Sequence, residues 1–209
     1  MRKKLWGAVM AATAVAFSDT TAAQAPVARD TGLIVSSVES AVRQPAQRME
    51  NFALIVDLSD RRLYVLSGED VVRDFPVAIG DEGYDTPSGG FTIRRMIWNP
   101  SWTPPPAGWA RNKKYEGPGS PGNPMGRVKM FFQEPDYYIH GTGLASSLGN
   151  ARSHGCIRMR NIDAVELARL IMINAGDTRD QAWYDETVAN RTTMREVRLP
   201  RPVSIRVRA

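Results

Sequence analysis

The sequence contains very few of the side chains that form covalent or metal cross-links. Among 209 residues there is one cysteine, Cys156, and there are two histidines, His140 and His154. A single thiol cannot form an intramolecular disulfide, and no cysteine lies near residue 24, where a lipid-modified N-terminus would begin. The three residues could supply metal ligands, but the His-x-Cys spacing differs from that of the usual zinc sites. We expect no disulfide, no metal site and no cofactor.

The sequence also lacks a hydrophobic run long enough for a transmembrane helix, which needs about 20 apolar residues. The uncharged stretch from Leu5 to Phe17 is shorter; it follows the basic residues Arg2 to Lys4 and precedes several small residues. This arrangement is typical of a secretory signal peptide over residues 1–23, with cleavage after Ala23 or Ala25. An uncleaved anchor is the alternative. We therefore predict export to the periplasm or cell envelope.

Acidic residues are scarce at the two ends of the chain. The formal net charge is +5, and part of it belongs to the predicted signal peptide. Residues 187–209 contain six arginines and only one acidic residue. We interpret this basic tail as a solvated face, with binding to anionic polymers or membrane headgroups as the alternative. Membrane contact is expected only through this tail or an uncleaved signal, and no nucleic-acid partner is expected for an exported chain.

The remaining composition is that of one folded domain. Hydrophobic residues make up 43% of the chain and charged residues 23%, which suffices for a core and excludes a disordered chain. Seventeen glycines and 14 prolines favour turns and short strands over a helical bundle. Residues 24–50 are mostly small and polar, which indicates a linker or lead-in. We predict a folded domain over residues 51–209.

Apolar and β-branched runs predict a mainly β fold. Residues 52–57 and 62–66 are two such runs separated by a short polar segment, which predicts a β-hairpin. The pattern continues over residues 71–79, where Pro76 indicates a sheet edge or a bulge. Further strands are predicted at residues 91–97, 129–133, 137–139 and 203–207.

One clear helix is predicted, with Asn161 or Asp163 as its N-cap. Asp163 and Glu166 have the spacing of a capping box, and Gly176 ends the apolar pattern. The sequence also allows a shorter helix around residues 183–184.

A long loop is the other unusual feature. Residues 99–123 contain six prolines together with Trp102, Trp109 and Tyr115. Loops of this length inside a compact domain are usually functional, and the aromatic residues favour a flap beside a binding site.

The cysteine and the two histidines lie close together in the sequence, ahead of the predicted helix. Catalysis by a thiol nucleophile needs a base that removes the thiol proton, and His140 could serve Cys156 in this way. Gly155 permits a turn that brings backbone N–H groups together, as an oxyanion hole requires. A buried structural cysteine and a structural histidine are the alternatives for each residue alone. The combination favours catalysis.

These residues resemble the signature of the L,D-transpeptidases, bacterial cell-wall enzymes with a YkuD-type catalytic domain. That signature is a His, a spacer and [Ser/Thr]-His-Gly-Cys, followed by an apolar residue and Asn or Arg. Here it corresponds to His140 and to residues 153–158, SHGCIR. Residues 85–91 resemble the family's TP-x-G-x-F turn, residues 98–106 its Pro/Trp segment and residues 123–126 its NP-[Leu/Met]-G segment.

The resemblance covers about residues 52–172 and the last predicted strand at 199–207, whereas residues 174–196 have no counterpart. It implies a mainly β, L,D-transpeptidase-like β-sandwich with one helix following the catalytic cysteine. It also implies that the long loop forms a flap over the groove. The strands and the helix predicted from the residue pattern agree with this fold.

The resemblance also implies roles for individual residues. Cys156 is expected to be the nucleophile and His140 the base, oriented by the backbone carbonyl of Gly141 in place of a carboxylate. Oxyanion and substrate-binding roles are expected for residues around the cysteine, namely Ser153, His154, Gly155 and Arg158. His154, Gly155 and the Cys156 N–H would form the oxyanion site. Ser153 and Arg158 would support it or contact substrate carboxylates, with a structural role as the alternative for Arg158.

The implied activity is acyl transfer on peptidoglycan stem peptides. Cys156 would attack meso-diaminopimelate in a tetrapeptide stem, release D-Ala and form a thioester. The acceptor stays open: a second diaminopimelate amine gives a 3–3 crosslink, a Lys of an outer-membrane protein gives an anchor, and water gives an L,D-carboxypeptidase. A non-catalytic peptidoglycan-binding module and a secreted cysteine protease are the alternatives from other functional classes.

Overall fold

The structure, a computed structural model, describes residues 48–143, 146 and 148–209. The predicted signal peptide and residues 24–47 of the predicted lead-in lie outside this part of the chain. Strands account for 41% and helices for 18% of the structure, so the predicted mainly β architecture is confirmed. None of the helices in the described ranges is long and apolar enough to span a membrane.

Ten strands, two α-helices and one short 3-10 helix make up the described fold. The strands are β1 (Ala53–Asp57), β2 (Arg62–Ser67), β3 (Asp70–Pro76), β4 (Ile79–Gly80), β5 (Gly89–Trp98), β6 (Val128–Gln133), β7 (Tyr137–Thr142), β8 (Ala151–Ser153), β9 (Ile157–Arg160) and β10 (Arg195–Arg208). The helices are α1 (Asn161–Ala175) and α2 (Gln181–Ala189), and the 3-10 helix spans Gly108–Ala110.

Eight strands form one mixed, nearly closed sheet in the order β3-β2-β1-β10-β5-β6-β7-β9. The pairs β1–β10 and β7–β9 are parallel, and the other neighbours are antiparallel. β4 and β8 form a separate two-stranded parallel pair. The last strand of the chain therefore lies near the middle of the large sheet, between β1 and β5.

The hydrophobic core lies between the large sheet and α1. Leu167 and Ile171 of the helix are fully buried, as are Met130, Ile139 and Ile157 on β6, β7 and β9. The helix thus covers the end of the sheet that carries the cysteine. Burial of such large aliphatic side chains stabilises a fold by about 1.5–3 kcal/mol each.

Segment 174–196, which had no predicted counterpart, contains α2. Trp183 and Tyr184 of α2 pack edge-on against Trp98 at ring-centroid distances of 5.7 and 6.0 Å. Buried Arg127 donates hydrogen bonds to the carbonyl of Val188 at 2.6 Å and to Oδ1 of Asn99 at 3.1 Å. Since helix C-terminal carbonyls lack partners within the helix, this arginine satisfies one of them and fixes α2 to the start of the flap loop.

The structure corrects the implied fold with one helix, because α2 is a second one, and α2 contains the shorter helix that the sequence allowed around residues 183–184. It also corrects the predicted start of α1. The N-cap is Arg160 without a side-chain cap, and Asp163 instead forms an ion pair with Arg160. The predicted end is confirmed, since Gly176 adopts φ 88° and its N–H bonds to the carbonyl of Ile173.

The predicted hairpin is confirmed, with Asp57 opposite Arg62. β3 ends at Pro76, as a residue without an N–H donor favours. The two short strands around the cysteine, β8 and β9, were not predicted. β8 has three residues and no apolar alternation, and β9 alternates Ile157 and Met159 with two arginines over four residues only. β10 was predicted from its residue pattern only over its last part, because the part before residue 203 contains two prolines and few apolar residues.

Candidate active site

The parallel pairing of β7 with β9 places the reactive side chains on one face of the sheet. Ile139 lies opposite Ile157, and His140 opposite Arg158. Both isoleucines point into the core and are fully buried. Because side chains alternate along a strand, His140, Arg158 and Cys156 lie on the other face. Arg158 is the direct cross-strand partner of His140, and Cys156 precedes Arg158 by two residues. Cys156 is therefore a diagonal neighbour of His140.

His140 is held as a neutral imidazole. It is 2% exposed, and its Nδ1 lies 2.8 Å from the carbonyl oxygen of Gly141. Burial and the charges of Arg158 and Lys129 lower the pKa of His140 to about 3. Hydrogen bonding to the backbone of Gly141 and Met125 raises this pKa but does not offset the lowering. A neutral ring that donates from Nδ1 presents Nε2 as its proton acceptor. The orientation by the Gly141 carbonyl agrees with the prediction.

A close backbone approach explains why residue 141 is glycine. A Cβ added to Gly141 would lie 2.2 Å from Oδ1 of Asn161, and one added to Gly126 would lie 2.1 Å from the same atom. That oxygen accepts a hydrogen bond from the N–H of Arg127 at 3.0 Å. Asn161 therefore fastens the entry of β6 to the start of α1, and its side chain packs closely against Gly141 on the strand that carries His140.

The segment before the cysteine is a tight turn held by buried hydroxyl groups. Ser153 Oγ donates to the carbonyl of Cys156 and accepts from the N–H of Gly155 at 3.1 Å. Thr86 Oγ1 donates to the carbonyl of Gly155 at 2.9 Å and accepts from the N–H of Gly80. Gly155 has φ 100°, which disfavours any other residue. Its N–H is engaged by Ser153, so in this structure it serves the turn.

Cys156 is half-buried, and its thiol faces polar groups. The thiol donates to the carbonyl of Asp136 at 3.3 Å. Burial raises the pKa of the Cys156 thiol, whereas hydrogen bonds from the backbone and the phenol of Tyr138 and the charges of Lys129 and Arg158 lower it. The thiol is therefore mostly protonated at neutral pH and needs a base to become a nucleophile.

Arg158 lies beside the cysteine with its charge uncompensated. Within residues 48–143, 146 and 148–209, no carboxylate lies within 4.0 Å of its guanidinium. Burial lowers its pKa, while the charges of Cys156 and Tyr138 raise it. Its main chain forms an isolated bridge with Ala78. The backbone of Arg158 thus pairs with Ala78, whereas the charge of its side chain acts on the Cys156 thiol.

The flap loop contacts the site through His154. The exposed imidazole of His154 stacks on Trp109 with a centroid distance of 3.8 Å and an angle of 11°, and Tyr84 meets its edge at 4.6 Å. Asn123 fastens the loop at its base, since its side-chain amide donates to the carbonyls of Pro100 and Gly117. The loop therefore forms one wall beside the cysteine.

The structure brings all seven predicted site residues into one region around β7, β8 and β9. The sequence analysis missed Thr86, Lys129, Tyr138 and Asn161 as site residues. For Tyr138 a signal was available, because it precedes His140 by two residues on the same strand and so shares its face. Thr86 lies in the TP-x-G segment but was assigned no role. Among the described residues no cluster of three His, Cys, Asp or Glu side chains forms a candidate metal site.

Comparison with known proteins agrees with this geometry. A family profile described as the L,D-transpeptidase catalytic domain, YkuD, matches residues 51–195. A Bacillus licheniformis relative named as L,D-transpeptidase YkuD is 32% identical over 120 residues, covering 57% of this chain and 60% of the relative. An Escherichia coli relative named as L,D-transpeptidase ErfK/SrfK is 34% identical over 119 residues, covering 53% of this chain and 38% of the relative. The chain thus matches less than two thirds of either relative.

Among solved structures, an L,D-transpeptidase from Mycobacterium smegmatis superposes with a TM-score of 0.47 and 18% identity, covering 76% of this chain and 59% of that one. The family profile spans strands β1 to β9, the cysteine turn and both helices, and it ends where β10 begins. The chain therefore belongs to the YkuD family of L,D-transpeptidase catalytic domains.

Proposed function

We propose that this protein is an exported acyltransferase that forms a thioester between Cys156 and the meso-diaminopimelate of a peptidoglycan tetrapeptide stem. The observation that carries the proposal is the half-buried thiol beside a buried imidazole that is kept neutral by its surroundings. A neutral imidazole can accept the thiol proton, and the Gly141 carbonyl holds the ring in the required tautomer.

The proposed donor step begins with proton transfer from the thiol to the imidazole. Nε2 of His140 takes the thiol proton, and Sγ of Cys156 attacks the diaminopimelate carbonyl carbon. The C–N bond to the terminal D-Ala breaks, and the imidazolium returns its proton to the leaving amine. In the second step an amine attacks the thioester carbonyl, the C–S bond breaks, and the proton that the amine loses passes through Nε2 of His140 to the leaving thiolate, which restores the thiol. A neighbouring diaminopimelate or a Lys of an outer-membrane protein supplies that amine.

Export is a separate part of the proposal. It rests on residues 1–23, which have the basic start, apolar run and small-residue exit of a signal peptide. Fractionation of cells that produce the full chain tests it, with the N-terminal sequence of the periplasmic product giving the cleavage site. Retention of the uncleaved chain in the cytoplasm would contradict export.

The decisive experiment for the activity is the intact mass of the purified protein after incubation with disaccharide-tetrapeptide. We expect a Cys156 adduct of the substrate minus D-Ala, and no adduct for Cys156→Ala, whose melting temperature should stay within a few degrees because a half-buried thiol makes little packing contribution. Crosslinked dimers would show transfer, whereas tripeptides would show hydrolysis. Absence of both an adduct and D-Ala release would favour a non-catalytic wall-binding module.

A further inference from the structure

Lys129 is a second cation at the site, and it lies outside the motif that carries the family resemblance. It lies on β6 directly opposite His140, which in turn lies opposite Arg158 on β9. Directly paired residues project to the same face of a sheet. Lys129, His140 and Arg158 therefore form a row across three neighbouring strands, on the face that carries Cys156.

Aromatic rings hold the Lys129 ammonium in place. Its Nζ lies 4.0 Å from the ring centroid of Tyr138 and 4.9 Å from that of Phe131. Both distances are within the range of a cation–π interaction. No carboxylate of the described residues lies within 4.0 Å of this ammonium, so its charge is not neutralised by an ion pair.

Tyr138 connects this cation to the sulfur. Its backbone N–H and its phenol both hydrogen-bond to Cys156 and lower the pKa of the thiol. Burial and the charge of Cys156 raise the pKa of Tyr138 itself, so the phenol stays protonated and remains a donor. The face of the same ring carries the ammonium. A thiolate at Cys156 would therefore accept a hydrogen bond from the Tyr138 phenol, and the Lys129 ammonium lies over the face of the same ring.

We propose that Lys129 is an electrostatic positioning residue for Cys156, whose ammonium, seated on the Tyr138 ring, stabilises the thiolate that His140 generates. The resting His140 ring is neutral, so Lys129 and Arg158 are the cations that act on the sulfur before the ring takes up the thiol proton. This inference deepens the proposed function and rests on it in one respect only, that Cys156 is the nucleophile.

The test is the pH dependence of Cys156 alkylation by iodoacetamide, followed by intact mass. Because the chain has a single cysteine, every adduct reports on this thiol. An opposite charge within about 4–6 Å moves a pKa by about 1–3 units, and the partial exposure here reduces the effect, so we expect Lys129→Met to raise the apparent thiol pKa by about 0.5–1 unit. Lys129→Arg should restore the wild-type profile.

Arg206→Met is the matched control. It removes one positive charge from an exposed position on β10, which is separated from β7 by two intervening strands, β5 and β6. It should leave the alkylation profile unchanged. Melting curves check that each variant is folded, and Lys129→Gln takes the place of the methionine variant if that protein does not fold.

A profile of Lys129→Met that coincides with the wild-type profile would overturn the proposal. So would a variant with an unchanged thiol profile but a raised KM for the stem peptide, because Lys129 would then bind substrate. Alkylation needs no peptidoglycan. A failure of the proposed function, seen as missing D-Ala release, is therefore distinguishable from a failure of this inference.

Discussion

At the scale of single residues, the buried neutral state of His140 links catalysis to acid stability. The imidazole is almost fully buried and its pKa is lowered to about 3, whereas an unfolded histidine binds a proton near pH 6.5. Below that pH the unfolded chain takes up a proton that the folded chain excludes. The folded state therefore loses stability as the pH falls from 6.5 towards 3.

We predict that His140→Gln flattens this acid dependence. Each excluded proton lowers the free energy of unfolding by up to about 1.4 kcal/mol per pH unit in this window. Urea denaturation at pH 7 and pH 5 measures the difference for the wild type and the variant. His154→Gln is the control, because the His154 side chain is exposed whereas that of His140 is almost fully buried. Equal pH slopes for His140→Gln and the wild type would contradict the prediction.

The glycine of the signature also has its reason at this scale. A Cβ on Gly155 would lie 2.7 Å from Cε1 of Tyr137 and 3.3 Å from the carbonyl oxygen of Asp85. Both the left-handed backbone conformation and the lack of space for a Cβ therefore restrict position 155 to glycine. The spacing of the motif could be predicted from the sequence, but this crowding depends on a strand and a loop that are distant in the chain.

At the scale of elements, the cysteine turn depends on a loop far away in sequence. Thr86 lies between the β4 and β5 segments and is 6% exposed, and its hydroxyl bonds both Gly80 and Gly155. Loss of such a hydroxyl leaves a buried N–H and a buried carbonyl without their partner. Thr86, which holds the turn before Cys156 through Gly155, is therefore a residue to which the sequence analysis assigned no role.

We predict that Thr86→Val, which keeps the shape and removes the hydroxyl, destabilises the fold by about 1–3 kcal/mol. It should also slow D-Ala release, because the turn that presents Cys156 is no longer fixed at Gly155. Thr86→Ser retains the hydroxyl and should keep most of both properties. Thermal melts and a D-Ala release assay on the three proteins measure this. Full activity of the valine variant would show that Ser153 alone holds the turn.

At the scale of the whole molecule, the basic tail is mostly a strand. β10 lies between β1 and β5, with Ser204 opposite both Ala53 and Thr92. Its buried side chains include Val203, Ile205 and Val207, while its arginines at 198, 201, 206 and 208 are exposed. The apolar side chains of β10 therefore lie on its buried face, and the arginines lie on its exposed face.

We predict that deletion of residues 195–209 abolishes cooperative folding, because it removes the strand that joins the two halves of the large sheet. The double variant Arg198→Gln/Arg206→Gln removes exposed charge only and should melt within a few degrees of the wild type. Circular dichroism melts of both proteins provide the comparison. A deletion that kept the full melting temperature would show that the tail is an appendage.

The sequence by itself determined the mainly β class, the first hairpin, the end of α1 at Gly176 and which residues are the candidates for the site. These features are local. Periodicity, turn residues and a compact motif act over a few neighbouring positions, so they can be read without knowing what packs against them. The predicted orientation of His140 by Gly141 belongs here as well, because it joins adjacent residues.

Only the tertiary structure decided what surrounds the thiol. The neutrality of His140 comes from burial and from Arg158 and Lys129, which reach it from β9 and β6 through strand pairing. The short strands β8 and β9 and the central place of β10 likewise depend on partners distant in the chain. Electrostatics and burial are set by distances in space, and the order of residues along the chain does not specify those distances.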